Sequence, residues 1–478
     1  MNWQALFFEF FLYGILTYSF LVVLFYLFMG IFSTFEIRKY LRTNSFADWN
    51  VLAASEHLPG MSILAPAYNE SANIIENVRS MLSVNYYKLE VIIINDGSKD
   101  DSLEKLIKEY DLYETTVFIN ERIRTKRVRS VYKSNNPIYS KLVVVDKVNG
   151  GKADALNVGV NLAQYGYVVS LDVDCILEQD ALLKMIKPFL EETKVRVIAS
   201  GGVIRIANNC KIENGRLIKV NLPKKLLERI QIVEYIRAFL LGRMAWSRLN
   251  GLLLISGAFG AFDKEIVIKC GGYNYKTVGE DIELIVRMRR YMEEHKLPYK
   301  VTFIPDPLCW TEVPSDYKVL GRQRNRWTRG TVETMRTHRA MFFNPRYGLL
   351  GMISYPYWFF FEFLAPIIEF IGFIFFFVLA WLGLVQWGYF LILLACILSF
   401  GFLYSAFAVL MEILTYNQYK GKNYITKLFI AAFLEPIVFH PFIVWSAIKG
   451  NLDYLRRKNT WGEMTRQGLN PVQPVVAE

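Results

Sequence analysis

Long runs without charge set the first pattern in the chain. From Phe10 to Phe35 no charged residue occurs, enough for one membrane helix of about 20 residues. Arg38, Lys39 and Arg42 follow at once, and basic flanks mark the cytoplasmic side of a span. A basic leader and a small-residue cleavage site are both missing from this run, so it predicts a retained anchor rather than a secretory signal. A second uncharged run extends from Phe370 to Met411. As helix it covers roughly 63 Å, two crossings of a hydrocarbon core about 30 Å thick. It predicts a hairpin, out over 364–384 and back over 387–411, turning at the residues GLVQWG.

The stretch LFIAAFLEPIVFHPFIVWSAI, 428–448, is about one span long and basic on both sides, with Lys420, Lys422 and Lys427 before it and Lys449, Arg456, Arg457 and Lys458 after. Flanks on one side, with Pro436 and Pro441 inside, predict a broken interfacial or re-entrant element. A fourth crossing is the alternative. Residues 347–361 predict an aromatic-rich interfacial helix. Glu362 and Glu369, seven apart on one helical face, either lie at the interface or line a polar path through the helices.

Between about 58 and 310 short apolar runs alternate with helix-like stretches. MSILAP, EVIIIND, KLVVVD, YVVSLDVD, RVIASGGVI and KVTFIP read as strands, and helices open near Glu70, Asp101, Gly151 and Gln179. This alternation predicts an α/β domain with a mostly parallel sheet covered on both faces. Ligands of such sheets sit outside the carboxyl ends of the strands. The polar clusters AYNE, NDGSKD and DVD fall at those ends. The pattern divides the chain into an anchor (1–36), a cytoplasmic domain with interfacial helices (37–345), interfacial and membrane helices (346–451) and a tail (452–478).

Composition narrows the partners. Of 478 residues, 53% are hydrophobic and the net charge is +11, which suits a phosphate-rich substrate or an acidic membrane surface. The aromatics concentrate in the apolar segments and do not interleave with basic residues along a groove, so nucleic acid is not an expected partner. Five cysteines stand far apart and four histidines are scattered, which fits neither a disulfide framework nor a zinc site.

Several short stretches carry chemistry. Asp172 and Asp174 in LDVDC leave a strand two apart, and hard divalent cations bind through one or two carboxylates plus substrate phosphates; alone, the pair is common by chance. GGKADALN places Lys152 at a helix start, suited to a diphosphate or simply solvated. SGAFGAF, 256–262, offers small residues for close approach to a sugar, or a tight turn. In VGEDIEL, Asp281 can serve as general base on a hydroxyl or merely complement the helix dipole with Glu280. GRQRNRWTRG, 321–330, puts Gln323, Arg326 and Trp327 on one helical face. Arg326 can fork onto a diphosphate and Trp327 offers a flat surface to a sugar. Arg322 and Arg329 fall elsewhere around the helix, as a basic fringe, with Arg324 unassigned. Residues 223–246 read either as a core helix or as a membrane-surface helix, and the basic segment 111–140 as a solvated insertion.

In this order the clusters resemble the processive, membrane-embedded family-2 glycosyltransferases, which include cellulose, chitin, hyaluronan and poly-N-acetylglucosamine synthases. The most specific element is Q-x-x-R-W, here Gln323, Arg326 and Trp327. The N-D-G turn stands where the family often has D-D-G, and Glu280-Asp281 follow a glycine where it commonly reads T-E-D. The resemblance implies a GT-A fold and inverting transfer from a UDP-sugar to a growing β-linked polysaccharide, coupled to its passage across the plasma (inner) membrane. A non-processive enzyme with a lipid acceptor is the alternative. By the same resemblance Asp281 is the base, with Glu280, Gln323, Arg326 and Trp327 beside it. Asp96 contacts the uracil, Lys152 the diphosphate and Asp172 the nucleotide. Asp174 helps hold Mg2+ or Mn2+, and Tyr68 and Glu70 line the nucleotide pocket. TWGEMTR, 460–466, is similar to a gating loop of hyaluronan synthases, with Trp461 and Arg466 as its substrate contacts and Glu463 and Met464 as a departure. Membrane lipids, and an export subunit or a second copy, are the further expected partners.

Overall fold

The computed structural model describes residues 3–46 and 48–458. Trp461 and Arg466 lie outside the described residues. Twelve strands form: β1 (Met61–Ala67), β2 (Leu89–Asn95), β3 (Leu112–Thr115), β4 (Val128–Ser134), β5 (Leu142–Lys147), β6 (Tyr167–Leu171), β7 (Ile176–Leu177), β8 (Arg196–Ile206), β9 (Lys211–Glu213), β10 (Arg216–Lys219), β11 (Phe259–Asp263) and β12 (Tyr299–Thr311). Ten of them make one sheet in the order β3-β4-β5-β2-β1-β6-β11-β8-β12-β7. Its centre, β5-β2-β1-β6, is parallel. Every residue of β2 and β5 is buried, the signature of strands covered on both faces.

Two segments of the sheet differ from the sequence reading. Residues 111–140 are not a plain insertion: they supply β3 and β4, an antiparallel pair on the β5 edge. Val131 is the one buried residue of β4, the rest being half-buried or exposed, so these outer strands show no hydrophobic alternation, while charge near the sheet edge guards against unwanted pairing. SGAFGAF is largely strand, β11, wedged antiparallel between β6 and β8. Its small residues fit because both faces are packed.

Four helical stretches among the described residues are long and apolar enough to cross a membrane: Leu12–Asn44, Leu350–Trp381, Trp387–Thr415 and Tyr424–Leu455. The hairpin turns where expected, with Gly383 at φ +70. Residues 347–357 do not form a separate surface helix. Tyr347, Leu350 and Tyr355 pack onto Leu253, Ile282 and Met335, and the chain runs on through a wide turn, Trp358–Phe363, into Ala365–Trp381. The 424–455 stretch is continuous, not broken. Pro436 and Pro441 sit inside it, where each lacks the N–H that a straight α-helix would use, and a π-helical turn, Glu435–Phe439, accommodates them. This stretch touches the sheet domain's helices along its length. Arg237 pairs with Glu435 at 2.9 Å, Tyr317 packs on Phe442, and Asn325 donates to Asp453 at 3.0 Å.

The 223–246 segment, Leu226–Ile236 continuing through a π-helical turn to Arg248, is buried on most faces between sheet and membrane helices. Charged pairs fasten these layers. Arg205 of β8, 1% exposed, meets Glu412 of the hairpin, 2% exposed. Removing one member of a buried pair strands the other charge, whereas replacing both with apolar groups is often neutral. Glu412→Ala is therefore expected to destabilise the detergent-solubilised protein by about 3–5 kcal/mol. Arg205→Met with Glu412→Leu should recover most of that, as read by thermal unfolding.

Candidate active site

A cavity of about 740 Å³ opens at the carboxyl ends of the central strands, with Lys152, Asp172, Asp174, Glu280, Asp281, Gln323, Arg326 and Trp327 in its wall. Eight residues singled out in the sequence thus meet in one space. Lys152 heads the helix Lys152–Leu162. Its ammonium lies 2.5 Å from Asp172 and 3.5 Å from Glu280, and donates to the Gly257 carbonyl at 3.1 Å. Burial alone would lower its pKa, but Asp172 and Glu280 outweigh burial and raise it above the ordinary lysine range. Stability linked to this charge is therefore fully present through neutral pH and lost only as pH climbs past the ordinary lysine value. Burial pushes the Glu280 carboxyl up; Lys152 pulls it back, and Asp281 adds to the rise.

Asp281 sits in the first turn of Glu280–Glu294. A Cβ on Gly257 would stand 2.6 Å from its Oδ2, so glycine there lets the carboxylate reach the segment leading into β11. The helix Tyr317–Thr337 crosses close by. A Cβ on Gly330 would stand 2.7 Å from the Gly279 Cα; two glycines allow backbone against backbone. Glu333 on the same helix accepts from Thr277 Oγ1 at 2.7 Å and from Val278 N at 2.9 Å. The acidic pair and the Gln323-Arg326-Trp327 face are thereby locked into one wall.

The other arginines of GRQRNRWTRG divide differently from the sequence expectation. Arg324 is buried against Glu234 at 2.6 Å and stacks 4.2 Å from the Trp327 ring centroid, backing the indole that is 42% exposed to the cavity. Arg329 is no fringe residue. It is 4% exposed, donating to Asn325 at 3.0 Å and to the Lys458 carbonyl at 2.6 Å. It points away from the face that bears Gln323, Arg326 and Trp327, toward the C-terminal helix packed on that side.

Asp172 and Asp174 offer oxygen donors, with Asp174 7% exposed, and the described residues hold no cluster of three His, Cys, Asp or Glu side chains. Two carboxylates beside a lysine fit a hard divalent cation completed by phosphate oxygens rather than a zinc-type cage. Tyr68, Glu70 and Asp96 stand at neighbouring strand ends and do not line the cavity. Tyr68 is 45% exposed, the Glu70 backbone N–H donates to Ser102 Oγ at 3.1 Å, and Asp96 is buried. The sequence reading missed Arg243, whose guanidinium burial lowers to about 10. A lone arginine in an otherwise apolar turn, Phe239–Met244, was its signal.

A model of glycosyl transferase family group 2 matches residues 167–420, more than half the chain, and one of glycosyl transferase family 2 matches 62–248. The chain belongs to the family-2 glycosyltransferases. Among its relatives is a poly-beta-1,6-N-acetyl-D-glucosamine synthase of Staphylococcus aureus (strain COL), 32% identical over 304 residues, 63% of this chain and 60% of the relative. The synthase of the same description from Staphylococcus epidermidis is 31% identical over 288 residues, 60% of this chain and 58% of the relative. The match thus spans about three fifths of these relatives' length. A mannosyltransferase from Pyrobaculum calidifontis, solved with GDP-Man and Mn2+, superposes with a TM-score of 0.52 at 15% identity, covering 93% of this chain and all of that one. At that identity the likeness is one of fold.

Gly330→Val should push the Tyr317–Thr337 helix off Gly279. Overpacking of this kind costs about 1–3 kcal/mol, and about 1 Å of misplacement at a reacting centre costs on the order of 100-fold in rate. Melting temperature and turnover, measured on the same preparation, check both.

Proposed function

We propose that this chain is a membrane-embedded synthase that transfers a hexose or N-acetylhexosamine from a UDP-sugar, with inversion, to a growing β-linked polysaccharide. The observation that carries this reading is the extent of the cavity. It runs from Lys152, Asp172 and Asp174, past Asp281 and Trp327, to Tyr26, Glu362, Glu369 and His440 on the membrane helices. That far end is polar: His440 meets Glu369 at 2.7 Å, and Arg243 Nε, Trp358 Nε1 and Gln323 Oε1 are buried without a protein partner among the described residues. Unsatisfied buried donors and acceptors reward hydroxyl-rich sugar and reject an acyl chain.

In the proposed reaction Asp281 takes the proton of the acceptor hydroxyl as its oxygen bonds to the anomeric carbon of the donor. The bond from that carbon to the diphosphate oxygen breaks, and UDP leaves. Lys152 and Arg326 face the charge that gathers on the leaving diphosphate. Asp174, with Asp172, would hold Mg2+ or Mn2+, which neutralises part of that charge when bound. Trp327, braced by Arg324, carries the acceptor sugar at the mouth of the membrane path. The basic flanks Arg38, Lys39 and Arg42 favour a cytoplasmic catalytic domain in the plasma (inner) membrane, with residues 37–345 as that domain. The same cavity supports passage of the product through the membrane helices, which a second copy or an export subunit would complete. The named relatives make UDP-N-acetylglucosamine the first donor to test.

Purified protein incubated with radiolabelled UDP-sugars and Mn2+ should yield a high-mass, glycosidase-sensitive product, and chelation should abolish it. Label recovered only in the lipid extract would overturn the polymer reading. Asp281→Asn should lower transfer by about 10²–10⁴-fold, the usual worth of a general base, with UDP binding retained in a filter or calorimetric assay.

A further inference from the structure

Lys152 follows directly on a turn, 148–151, that has no regular structure of its own. What shapes this turn is a group of charges lying wholly beneath it. Lys147, the last residue of β5, is 0% exposed, Asp96 3% and Asp154 5%. The Lys147 ammonium lies 2.5 Å from Asp96 Oδ1 and 2.7 Å from Asp154 Oδ2, and donates to the Val148 carbonyl at 2.7 Å. Asp96 Oδ1 also accepts from Gly150 N at 2.9 Å, Oδ2 accepts from Gly151 N at 2.7 Å, and the Asp96 carbonyl accepts from Asn149 at 2.7 Å. Asp154 closes the far side by accepting from Lys126 N at 3.1 Å. Gly151 takes φ +87, and a Cβ on Gly150 would collide with the Asp154 carboxylate. The turn is thus held from beneath at Val148, Asn149, Gly150 and Gly151.

We infer that Lys147, Asp96 and Asp154 form a buried clamp that fixes the turn and so aims Lys152 at the donor diphosphate. Asp96 is then a positioning residue, not a reader of the nucleobase. Both its oxygens are committed to Lys147 and to the two glycine N–H groups, and its burial keeps them from a ligand. The chemistry is that of buried ions generally. An ammonium at zero exposure persists only if paired and hydrogen-bonded, and the pairing here is spent on backbone geometry at the one place where the chain turns into the Lys152 helix. The clamp rests on the nucleotide-sugar reading given above.

The test uses the full chain in detergent with Mn2+, measuring binding of UDP and CDP to wild type, Lys147→Met, Asp96→Asn and Lys152→Ala. The clamp requires Lys147→Met and Asp96→Asn to weaken both nucleotides by a common factor, on the order of 10–100, the scale of a lost positioning contact. The UDP-to-CDP ratio should stay at its wild-type value. It further requires Lys147→Met to change nothing more once Lys152→Ala is present, a readout that general loss of stability would not satisfy. A fall of UDP to the CDP level in Asp96→Asn would overturn the inference and restore Asp96 as base reader. Full additivity of the two lysine substitutions would overturn it as well. Should Lys147→Met fail to fold, the nearly isosteric Asp96→Asn still delivers the nucleotide ratio. Wild-type protein that binds no nucleoside diphosphate would defeat the nucleotide-sugar reading itself, and the clamp with it.

Discussion

Backbone against backbone at Gly279 and Gly330 is the contact on which the site's geometry turns. The two residues belong to separate elements, one just ahead of the acidic helix and the other in the helix that bears Gln323, Arg326 and Trp327. Any side chain at either position would separate those elements by the width of a methyl group, which a packed interior does not absorb freely. Because they touch, the Asp281 carboxylate and the Trp327 ring have a fixed spacing. Glu333 adds a second tie on the same side, through Thr277 and Val278. The rigid unit thus reaches from the sheet edge to the membrane face.

The charges follow the same logic at larger scale. Arg205 with Glu412, Arg237 with Glu435 and Arg324 with Glu234 each join elements far apart in the chain. Such pairs contribute little net stability, since desolvation offsets much of the attraction. Their value lies in registration: an apolar helix slides over an apolar surface at small cost, while a buried arginine accepts its carboxylate in one arrangement only. The membrane helices are in this sense indexed to the sheet, which keeps a cavity shared by both from shearing apart.

Much of this was legible in the residues. The parallel strands announced themselves as apolar runs, and of the three polar clusters at strand ends the one bearing Asp172 and Asp174 lines the cavity. The i, i+3, i+4 spacing of Gln323, Arg326 and Trp327 put them on one face of a helix that does line the cavity. Where sequence reading fell short, the cause was tertiary. β3 and β4 carry the charges of an edge and show no hydrophobic alternation, and β11 is so tightly packed that only small residues fit, which imitates a turn. Pro436 and Pro441 read as breaks because a proline's cost in a helix depends on whether a local π-helical turn, here Glu435–Phe439, takes up the missing bonds. Arg329 looked like fringe for want of any sign that a C-terminal helix covers it. Asp96 lies at the strand end its motif implied, yet its carboxylate points beneath the glycine turn, a direction fixed by Lys147.

The cavity wall draws on residues from Tyr26 near the beginning of the chain to Ala447 near its end. A ribosome delivers these in order, over many seconds for a chain of this length. The α/β domain can assemble as soon as β12 emerges, but its binding space then has a floor and no far wall. The final helical stretch, folding back along the Tyr317–Thr337 helix, is what encloses it. Enclosure of the cavity is therefore a late event in the life of the chain, since it waits for the last helical stretch, whose residues line it beside those of the first.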